Sequence, residues 1–427
     1  MPTEDKPAMT RTSTHPARGR RPRDRKAQIV TAAADLFHRH GYHTVTMDQI
    51  AGAVGITAGA LYRHFRNKQE LLARTVDDGL AAFETAVRGT APGDVDTLLD
   101  VMASLTLDRR DLGVLWQRES RNLPDTDRDR LRHRFRSVAE NTAPVIQAAR
   151  PGLTTADADL LTWALFAVFA SPSHHSAQLP RARFHTLLQQ LGGAVIHTAL
   201  SDSHERPDRP NTETNTGLSR ASRRESVLDA AARLFGEHGY QAVSMEDIGA
   251  AAGISGAGIY NHVTAKSELL VAALTRAADA LHMDAGRIFA TASTPGQALT
   301  RLLRSYIDLT LTSSHLTGAL ITEVVHLPDD RRRTIRRLQH DYVGEWVQLL
   351  ITETPDLTET EARMITQAVL AIVNDLARIQ HLRRRPHLAD DLAALGEAVL
   401  ASPRPATPDP GGEVPTPVRD IDTSHWG

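Results

Sequence analysis

The sequence predicts an all-α protein made of two tandem units. Apolar residues recur at the three- and four-residue spacing of helices, and no segment alternates with period two for long enough to indicate a strand. Alanine, leucine and arginine are abundant and aromatic residues make up only 4% of the chain, a composition that favours helix. The residues from 225 onwards repeat those from 27 onwards, so the helical pattern occurs twice.

Composition excludes several classes of protein. The 427 residues include no cysteine, which excludes disulfides, thiol catalysis and cysteine-based metal sites. The N-terminal residues are polar and rich in arginine, unlike a secretory signal. The longest apolar run, residues 160–170, is shorter than the ~20 residues that a membrane span needs. We therefore expect a soluble cytoplasmic protein with no membrane partner.

The stretch 46–68 predicts two short helices joined by a glycine turn. Thr46 is a good N-cap, and Gln49 completes a capping box three residues later. Gly55 supplies the left-handed turn after the first helix, and Thr57 caps the second. Two short helices with a tight turn between them form a helix-turn-helix, which places its second helix in the major groove of DNA.

This stretch lies inside an internal repeat, which makes the prediction of a helix-turn-helix more specific. Residues 225–270 match residues 27–72 without a gap, with roughly 20 of about 46 positions identical. A weaker match continues downstream, where residues 119–125 align with residues 323–329. Capped helix pairs are common in helical proteins that bind nothing, but two matching copies favour a helix-turn-helix with a shared function.

The chain divides at changes in composition. Residues 18–26 are a dense basic run, typical either of a solvated tail or of an arm that follows DNA, and residues 201–222 have a linker composition. The predicted segments are a disordered basic arm (1–24), a first helix-turn-helix domain (25–72), a first helical body (73–200), a linker (201–222), a second helix-turn-helix domain (223–270), a second helical body (271–402) and a disordered tail (403–427).

Both copies carry a recognisable set of residues. The first has Thr46, Ile50, Ala51, Gly55, Ile56, Thr57, Leu61, Tyr62, His64, Phe65, Lys68, Glu70, Leu71 and Leu72, and the second has Ser244, Ile248, Gly253, Ile254, Ser255, Ile259, Tyr260, His262, Lys266, Glu268, Leu269 and Leu270. This pattern resembles the DNA-binding domain of the TetR/AcrR family of repressors. A chain with two such units is similar to the tandem regulators of high-GC actinobacteria.

The resemblance implies a fold, a function and partners. Each unit would have an N-terminal three-helix DNA-binding domain followed by a helical ligand-binding and dimerisation bundle. The protein would be a transcriptional regulator of double-stranded operator DNA, acting as a repressor that a small hydrophobic effector releases. No cofactor is implied.

The resemblance also implies a set of DNA contacts. In the first unit they are Thr46, Thr57, Ala58, Gly59, Ala60, Tyr62, Arg63, His64 and Lys68; in the second they are Ser244, Ser255, Gly256, Ala257, Gly258, Tyr260, Asn261, His262 and Lys266; and Arg18, Arg20, Arg21 and Arg23 would enter the minor groove. The tyrosines, histidines, lysines and helix-capping hydroxyls would grip phosphates. The recognition helices, 57–64 and 255–262, would contact the bases.

The two recognition helices differ in the side chains that they offer to bases. Arg63 suits a guanine edge, whereas Asn261 at the equivalent position suits adenine. Two glycines in the second helix cost about 0.5–1 kcal/mol each relative to alanine. Val263 and Ala265 also replace a packing phenylalanine and a capping asparagine. We therefore expect the second DNA-binding domain to be looser and to read different bases.

Two units in one chain can form an intramolecular pseudo-dimer. We expect residues 154–200 to pack against residues 358–401, with one chain binding an asymmetric operator of two unlike half-sites. The alternative is a degenerate second DNA-binding domain that only dimerises, the protein then binding DNA as a homodimer of chains.

Candidate ligand-lining residues are the large or charged side chains of the two bodies. They are Trp116, Glu119, Phe135 and Phe166 in the first body, and Glu323, His326 and Trp346 in the second. The alternative is that the apolar members form the core and the glutamates are solvated or paired.

An enzyme and a metal protein are the rival classes. The sequence contains no nucleophile elbow, phosphate loop or dinucleotide fingerprint, so no catalytic residue is predicted. His38, His40 and His43 are close in sequence, and His174 and His175 are adjacent, but neither set has the helical i, i+4 spacing with a carboxylate that a metal site favours. We expect no metal.

Overall fold

The computed structural model describes residues 22–201, 222–254 and 258–402, and within these ranges every regular element is helical. The first unit comprises α1 (Pro22–His40), α2 (Met47–Ala53), α3 (Ala58–Tyr62), α4 (Lys68–Arg88), α5 (Val95–Asp108), α6 (Leu112–Gln117), the 3-10 helix η1 (Glu119–Asn122), α7 (Asp125–Ala149), α8 (Thr155–Ala170), the 3-10 helix η2 (Ser171–His174) and α9 (Arg181–His197). The all-α prediction is confirmed.

The second unit repeats this order of elements, with a 3-10 helix in place of α3 and a short α-helix in place of η2. It comprises α10 (Arg223–His238), α11 (Met245–Ala251), the 3-10 helix η3 (Gly258–Asn261), α12 (Lys266–Thr291), α13 (Pro295–Thr312), α14 (Ser314–Thr322), the 3-10 helix η4 (Val324–His326), α15 (Asp329–Glu353), α16 (Glu359–Leu376), α17 (Gln380–Arg383) and α18 (Leu388–Ala401). None of the described helices is long and apolar enough to cross a membrane.

Helix α1 begins earlier than the sequence predicted. The expected arm extended to residue 24, whereas α1 begins at Pro22, a residue that suits the first position of a helix because its ring fixes φ and its missing N–H has no partner there anyway. Arg23 therefore belongs to the first turn of α1. The rest of the arm, with Arg18, Arg20 and Arg21, lies outside the described residues, as do most of the linker and the tail.

The two units pack through their last helices. Helix α8 lies against α16 of the second unit, and α9 lies against α18. Helix α8 is apolar around its whole circumference, because it is covered by α7 and α9 on one side and by α16 on the other. This is the pairing that the sequence predicted for residues 154–200 and 358–401.

Ion pairs join the units around this apolar interface. Arg183 donates to Glu361 across 2.6 Å, and Arg385 pairs with both Asp157 and Asp391. The carboxylates of Glu361 and Asp391 are at most 3% exposed. Removing one partner of such a buried pair leaves an uncompensated charge, so these pairs hold the units in one register.

Candidate DNA-binding site

The first helix-turn-helix domain is built on a small apolar core. Ile29 and Phe37 of α1, Ile50 of α2 and Leu61 of α3 are fully buried. The capping box forms as predicted: the Thr46 hydroxyl accepts from the Gln49 N–H at 3.2 Å, and the Gln49 side chain accepts from the Thr46 N–H at 2.8 Å. These contacts orient α2 and α3 relative to α1.

Helix α3 presents one face to the core and one to solvent. The Thr57 hydroxyl caps it by accepting from the Ala60 N–H at 3.2 Å. Tyr62 is 52% exposed, and a Cβ added at Gly59 would meet no described atom within 4 Å. Of the other predicted contact residues, Thr46, Thr57 and Arg63 are exposed, and Ala58, Ala60 and His64 are half-buried. The exposed face is therefore the one predicted to contact DNA.

The second helix-turn-helix domain is described in part. Ser255, Gly256 and Ala257 lie outside the described residues, and the remaining recognition segment is the single 3-10 turn η3. It carries Tyr260, 53% exposed, and an exposed Asn261, while Gly258, His262 and the capping Ser244 are half-buried. The side-chain cap that Asn67 gives α4 is missing at α12, since Ala265 has no group that can accept a hydrogen bond.

Lys68 and Lys266 make contacts within the protein that were not part of their predicted role in phosphate binding. The Lys68 Nζ donates to the carbonyls of Tyr42 and Val45 at 2.6 and 2.8 Å and lies 4.2 Å from the centroid of the Tyr42 ring. Lys266 makes the equivalent contacts with Tyr240 and Val243. Partial burial lowers the pKa of both lysines, and the Glu119 charge opposes this at Lys68. Each lysine therefore stabilises the turn that precedes α2 or α11. Its contact with phosphate stays a prediction.

A buried glutamate connects each helix-turn-helix domain to its helical body. Glu119 accepts from the Tyr42 N–H at 3.0 Å, and Glu323 accepts from the Tyr240 N–H at 2.9 Å. Each glutamate also pairs with an arginine: Glu119 with Arg118 at 2.5 Å, and Glu323 with Arg121 at 2.6 Å. Arg121 belongs to the first unit, so this last pair joins the two units beside both domains.

These glutamates line a large cavity at the junction of the two units. Its volume is about 1260 Å³, and it is bounded by the ends of α1 and α10, the two turns that follow them, η1, η2 and helices of the second body. His326 also lines it. Three of the seven predicted ligand-lining residues therefore face a cavity.

The other four predicted ligand-lining residues do not line this cavity, and their contact with a ligand stays a prediction. Trp116, Phe135 and Phe166 pack on one another, with ring centroids 4.9 Å apart for the first two and 5.5 Å for the last two. Trp346 is fully buried in the core of the second body. Large aromatic rings gain most by excluding water, and here they fill the space between helices.

The histidines that were weighed as metal ligands also surround the cavity. Within the described ranges, no three histidine, aspartate or glutamate side chains form a group that could hold a metal ion. Burial lowers the pKa of His174 to about 3 and that of His175 to about 4, and the charges of Arg378 at His174 and Arg110 at His175 add to the effect.

Arg121 and Arg378 were missed by the sequence interpretation, because neither lies in a motif.

Two capped helix-turn-helix pairs, each with an exposed segment, and two helical bodies packed on each other define a tandem helix-turn-helix protein. Both helix-turn-helix domains and part of the second body are similar to the TetR family. Residues 29–75 and 227–273 match the family described as bacterial regulatory proteins, tetR family, and residues 292–378 match the tetracyclin repressor-like C-terminal domain.

Three curated relatives match this chain over 79 to 196 residues. The activator FasR of Mycolicibacterium smegmatis is 42% identical over 79 residues, which are 17% of this chain and 36% of FasR. The regulator TtgR of Pseudomonas putida is 36% identical over 93 residues, covering 20% of this chain and 44% of TtgR. BetI of Rhizobium meliloti is 26% identical over 196 residues, 46% of this chain and 95% of BetI. The chain thus spans less than half of the length of each of the first two relatives.

Solved structures of the family align with about one unit of the chain. A TetR-family regulator from Bordetella parapertussis has a TM-score of 0.40 at 20% identity, covering 43% of this chain and 95% of that one. AibR, solved with isovaleryl coenzyme A and operator DNA, has a TM-score of 0.33 at 23% identity, covering 36% and 86%.

Proposed function

We propose that this protein is a transcriptional regulator in which one chain binds one asymmetric operator. The observation that carries the proposal is that both helix-turn-helix domains lie on one chain whose two bodies pack on each other through α8, α9, α16 and α18. A single chain therefore holds two recognition segments, which supports binding without a second copy.

Different exposed side chains support unlike half-sites. Arg63 is exposed at the C-cap of α3, and Asn261 is exposed on η3. A guanidinium group reads guanine and a carboxamide reads adenine, each good pair being worth about 1–3 kcal/mol against the wrong base. Because the two domains are tethered, binding of the first raises the effective concentration of the second, so a weaker second contact still adds affinity.

The experiment selects genomic fragments with the purified full chain and then sizes the complex on the shortest bound duplex. We expect one chain of 46.7 kDa per duplex. Two symmetrised duplexes, each carrying one half-site twice, are expected to bind about tenfold or more weakly, since one mismatched base pair already costs ~1–3 kcal/mol. Two chains on a perfect palindrome, at full affinity, would contradict the proposal.

A second proposal assigns the second domain a dimerising role only. The short 3-10 turn η3 and the uncapped start of α12 favour it, because both make the recognition segment less rigid. Substituting Asn261 separates the two proposals. Lys266 is a poor probe for this purpose, since it holds the carbonyls of Tyr240 and Val243 and its loss disturbs the whole domain.

We propose that a small effector controls this regulator. The effector would either release repression or cause activation. An effector changes DNA affinity only if it binds the DNA-free and DNA-bound forms unequally. The tandem arrangement resembles that of the mycobacterial repressor of a mammalian-cell-entry operon, a lipid and sterol uptake system, and control of such an operon is part of the proposal. The genes beside the selected fragments test it, since genes unrelated to uptake would exclude that target.

A further inference from the structure

The bodies of the two units can be compared residue by residue. Glu119 and Glu323, which make the same contact, are 204 positions apart (323 − 119), and so are the capping residues Pro124 and Pro328 (328 − 124). Helices α7 and α15, which follow these prolines, both have 25 residues. The caps of α8 and α16, Thr154 and Thr358, keep the same displacement (358 − 154).

The centre of the first body is filled by four aromatic rings. Phe135 lies at the middle of the cluster, with its centroid 4.9 Å from that of Trp116, 5.3 Å from that of Trp163 and 5.5 Å from that of Phe166. Trp163 and Phe166 touch edge to face at 5.9 Å. None of the four lines the large cavity.

The same four positions of the second body carry smaller or polar side chains. Adding 204 to 116, 135, 163 and 166 gives Leu320, Gln339, Gln367 and Leu370. All four of these residues line the cavity. The cavity therefore extends into the second body at the four positions that, in the first body, are filled by aromatic rings.

The lining combines an apolar part with a cationic part. Leu281 and Val343 of the second body contribute apolar surface beside the four positions above. Among the described residues, seven arginines and four carboxylates line the cavity, with arginines supplied by both units. Excess guanidinium charge in a partly buried space favours an anion.

Burial, with smaller contributions from neighbouring arginine charges, lowers the pKa of two of these arginines. Burial lowers the pKa of Arg336, and the charges of Arg332 and Arg118 lower it further. Burial also lowers the pKa of Arg121; Glu323 opposes this shift and Arg378 adds to it. An anion placed among these groups would relieve the repulsion.

We propose that the cavity at the junction of the units is a single binding site per chain for an amphipathic organic anion, a carboxylate or phosphate group on an apolar body. The apolar body lies among Leu281, Leu320 and Leu370, and the anionic group lies near Arg118, Arg121 and Arg336. The volume of about 1260 Å³ accommodates a ligand of drug size or larger. The first body, closed by its aromatic cluster, takes none.

The position of the site connects it to both DNA-binding domains. Glu119 and Glu323 line the cavity and hold the turns at Tyr42 and Tyr240. An anion competes with these carboxylates for Arg118 and Arg121, and so changes the support of both domains together. This regulatory role depends on the proposed function, whereas ligand binding itself does not.

The test measures binding to the DNA-free full chain by titration calorimetry. The probes are decanoate, decyl phosphate, neutral decanol and inorganic phosphate, with the amphiphiles below their micelle concentrations. We expect at least one of the two anionic amphiphiles to bind at one site per chain, about tenfold or more tightly than decanol or phosphate alone. The stronger of the two identifies the anionic group as carboxylate or phosphate.

Two variants test the location. Gln339→Phe with Leu370→Phe places the first unit's residues in the second body and is expected to weaken binding of the anionic probe about tenfold or more. Arg336→Gln is expected to weaken the anionic probe but not decanol. The control is Arg88→Gln, an exposed arginine at the far end of α4 and outside the cavity lining, which should leave binding unchanged.

Three results would overturn the proposal. They are no binding of either anionic amphiphile up to about 1 mM, two equal sites per chain, and undiminished binding by both cavity variants. If the double variant fails to fold, Arg336→Gln still decides the location. A chain that binds decanoate or decyl phosphate but no genomic DNA would contradict the proposed function and leave this site in place.

Discussion

Glu119 accepts a hydrogen bond from the backbone N–H of Tyr42, 77 residues earlier in the chain, and Glu323 does the same for Tyr240. Tyr42 and Tyr240 each follow a glycine with positive φ, Gly41 and Gly239, at the end of the first helix of a unit. The carboxylate therefore fixes the turn that orients the helix-turn-helix.

Replacing these carboxylates is expected to destabilise the protein. Glu323→Gln leaves Arg121 without its partner, and Glu119→Gln does the same to Arg118, so we expect each to lower the free energy of unfolding by about 1–3 kcal/mol. Urea denaturation followed by circular dichroism measures it. The control is Asp159→Asn, whose partner His381 is half-exposed, with an expected loss below about 1 kcal/mol. Equal losses of unfolding free energy in all three variants would show that the two glutamates stabilise the protein no more than the Asp159–His381 pair does.

Base reading by the two domains is tested by Arg63→Ala and Asn261→Ala on the selected operator. Each is expected to weaken binding by about 1–3 kcal/mol and to relax base preference in its own half-site only. Arg88→Ala, at the far end of α4 and paired with Glu84, is the control and should leave binding unchanged. Unchanged affinity in Asn261→Ala, with a loss in Arg63→Ala, would favour the degenerate second domain.

Close approach of DNA to α3 is tested by Gly59→Ala. The added methyl group meets no described protein atom within 4 Å, so it should stabilise the helix by up to about 1 kcal/mol. If the exposed face lies against DNA, the methyl group occupies that contact, and we expect about tenfold weaker binding. Gly52→Ala in α2, with equally open space, is the matched control for helix stability. Full DNA affinity in Gly59→Ala would place the DNA elsewhere.

Lys68→Met separates a structural role from a phosphate contact. Loss of the two hydrogen bonds to the carbonyls of Tyr42 and Val45 is expected to cost about 1–3 kcal/mol of folding stability. If Lys68 contacted phosphate only, the stability would be unchanged and the salt dependence of DNA binding would fall by about one unit. Thermal melting and a salt titration of binding distinguish the two.

The half-buried histidines beside the cavity, His174 and His175, predict a loss of stability in acid. The pKa values of His174 and His175, about 3 and about 4, lie below the ordinary 6.5. Below pH 6.5 the unfolded chain binds protons that the folded chain does not, so stability falls as pH falls from 6.5 towards 4. The slope is about 1.4 kcal/mol per pH unit for each histidine. Unfolding at several pH values measures it. His175→Asn should flatten the profile, whereas His197→Gln, at an exposed position, should not.

Much of the fold and part of the site could be predicted from local patterns. The capping box at Thr46 and Gln49 involves residues three apart, and the apolar spacing of α7 lies within that one helix, so both are visible in sequence. The roles of Lys68 and Arg121 could not be predicted. Their partners lie 23 to 202 residues away, at distances that only folding brings together.

The sequence by itself determined the helical class, the two helix-turn-helix domains and the different side chains that these carry at Arg63 and Asn261, because these depend on spacing within one or two helices. The tertiary structure decided which large side chains are core and which face a cavity. Phe135 and Gln339 occupy equivalent positions, but only packing shows that one closes its body and the other lines an open space. Burial and charge depend on neighbours from the whole chain, and a local pattern does not contain them.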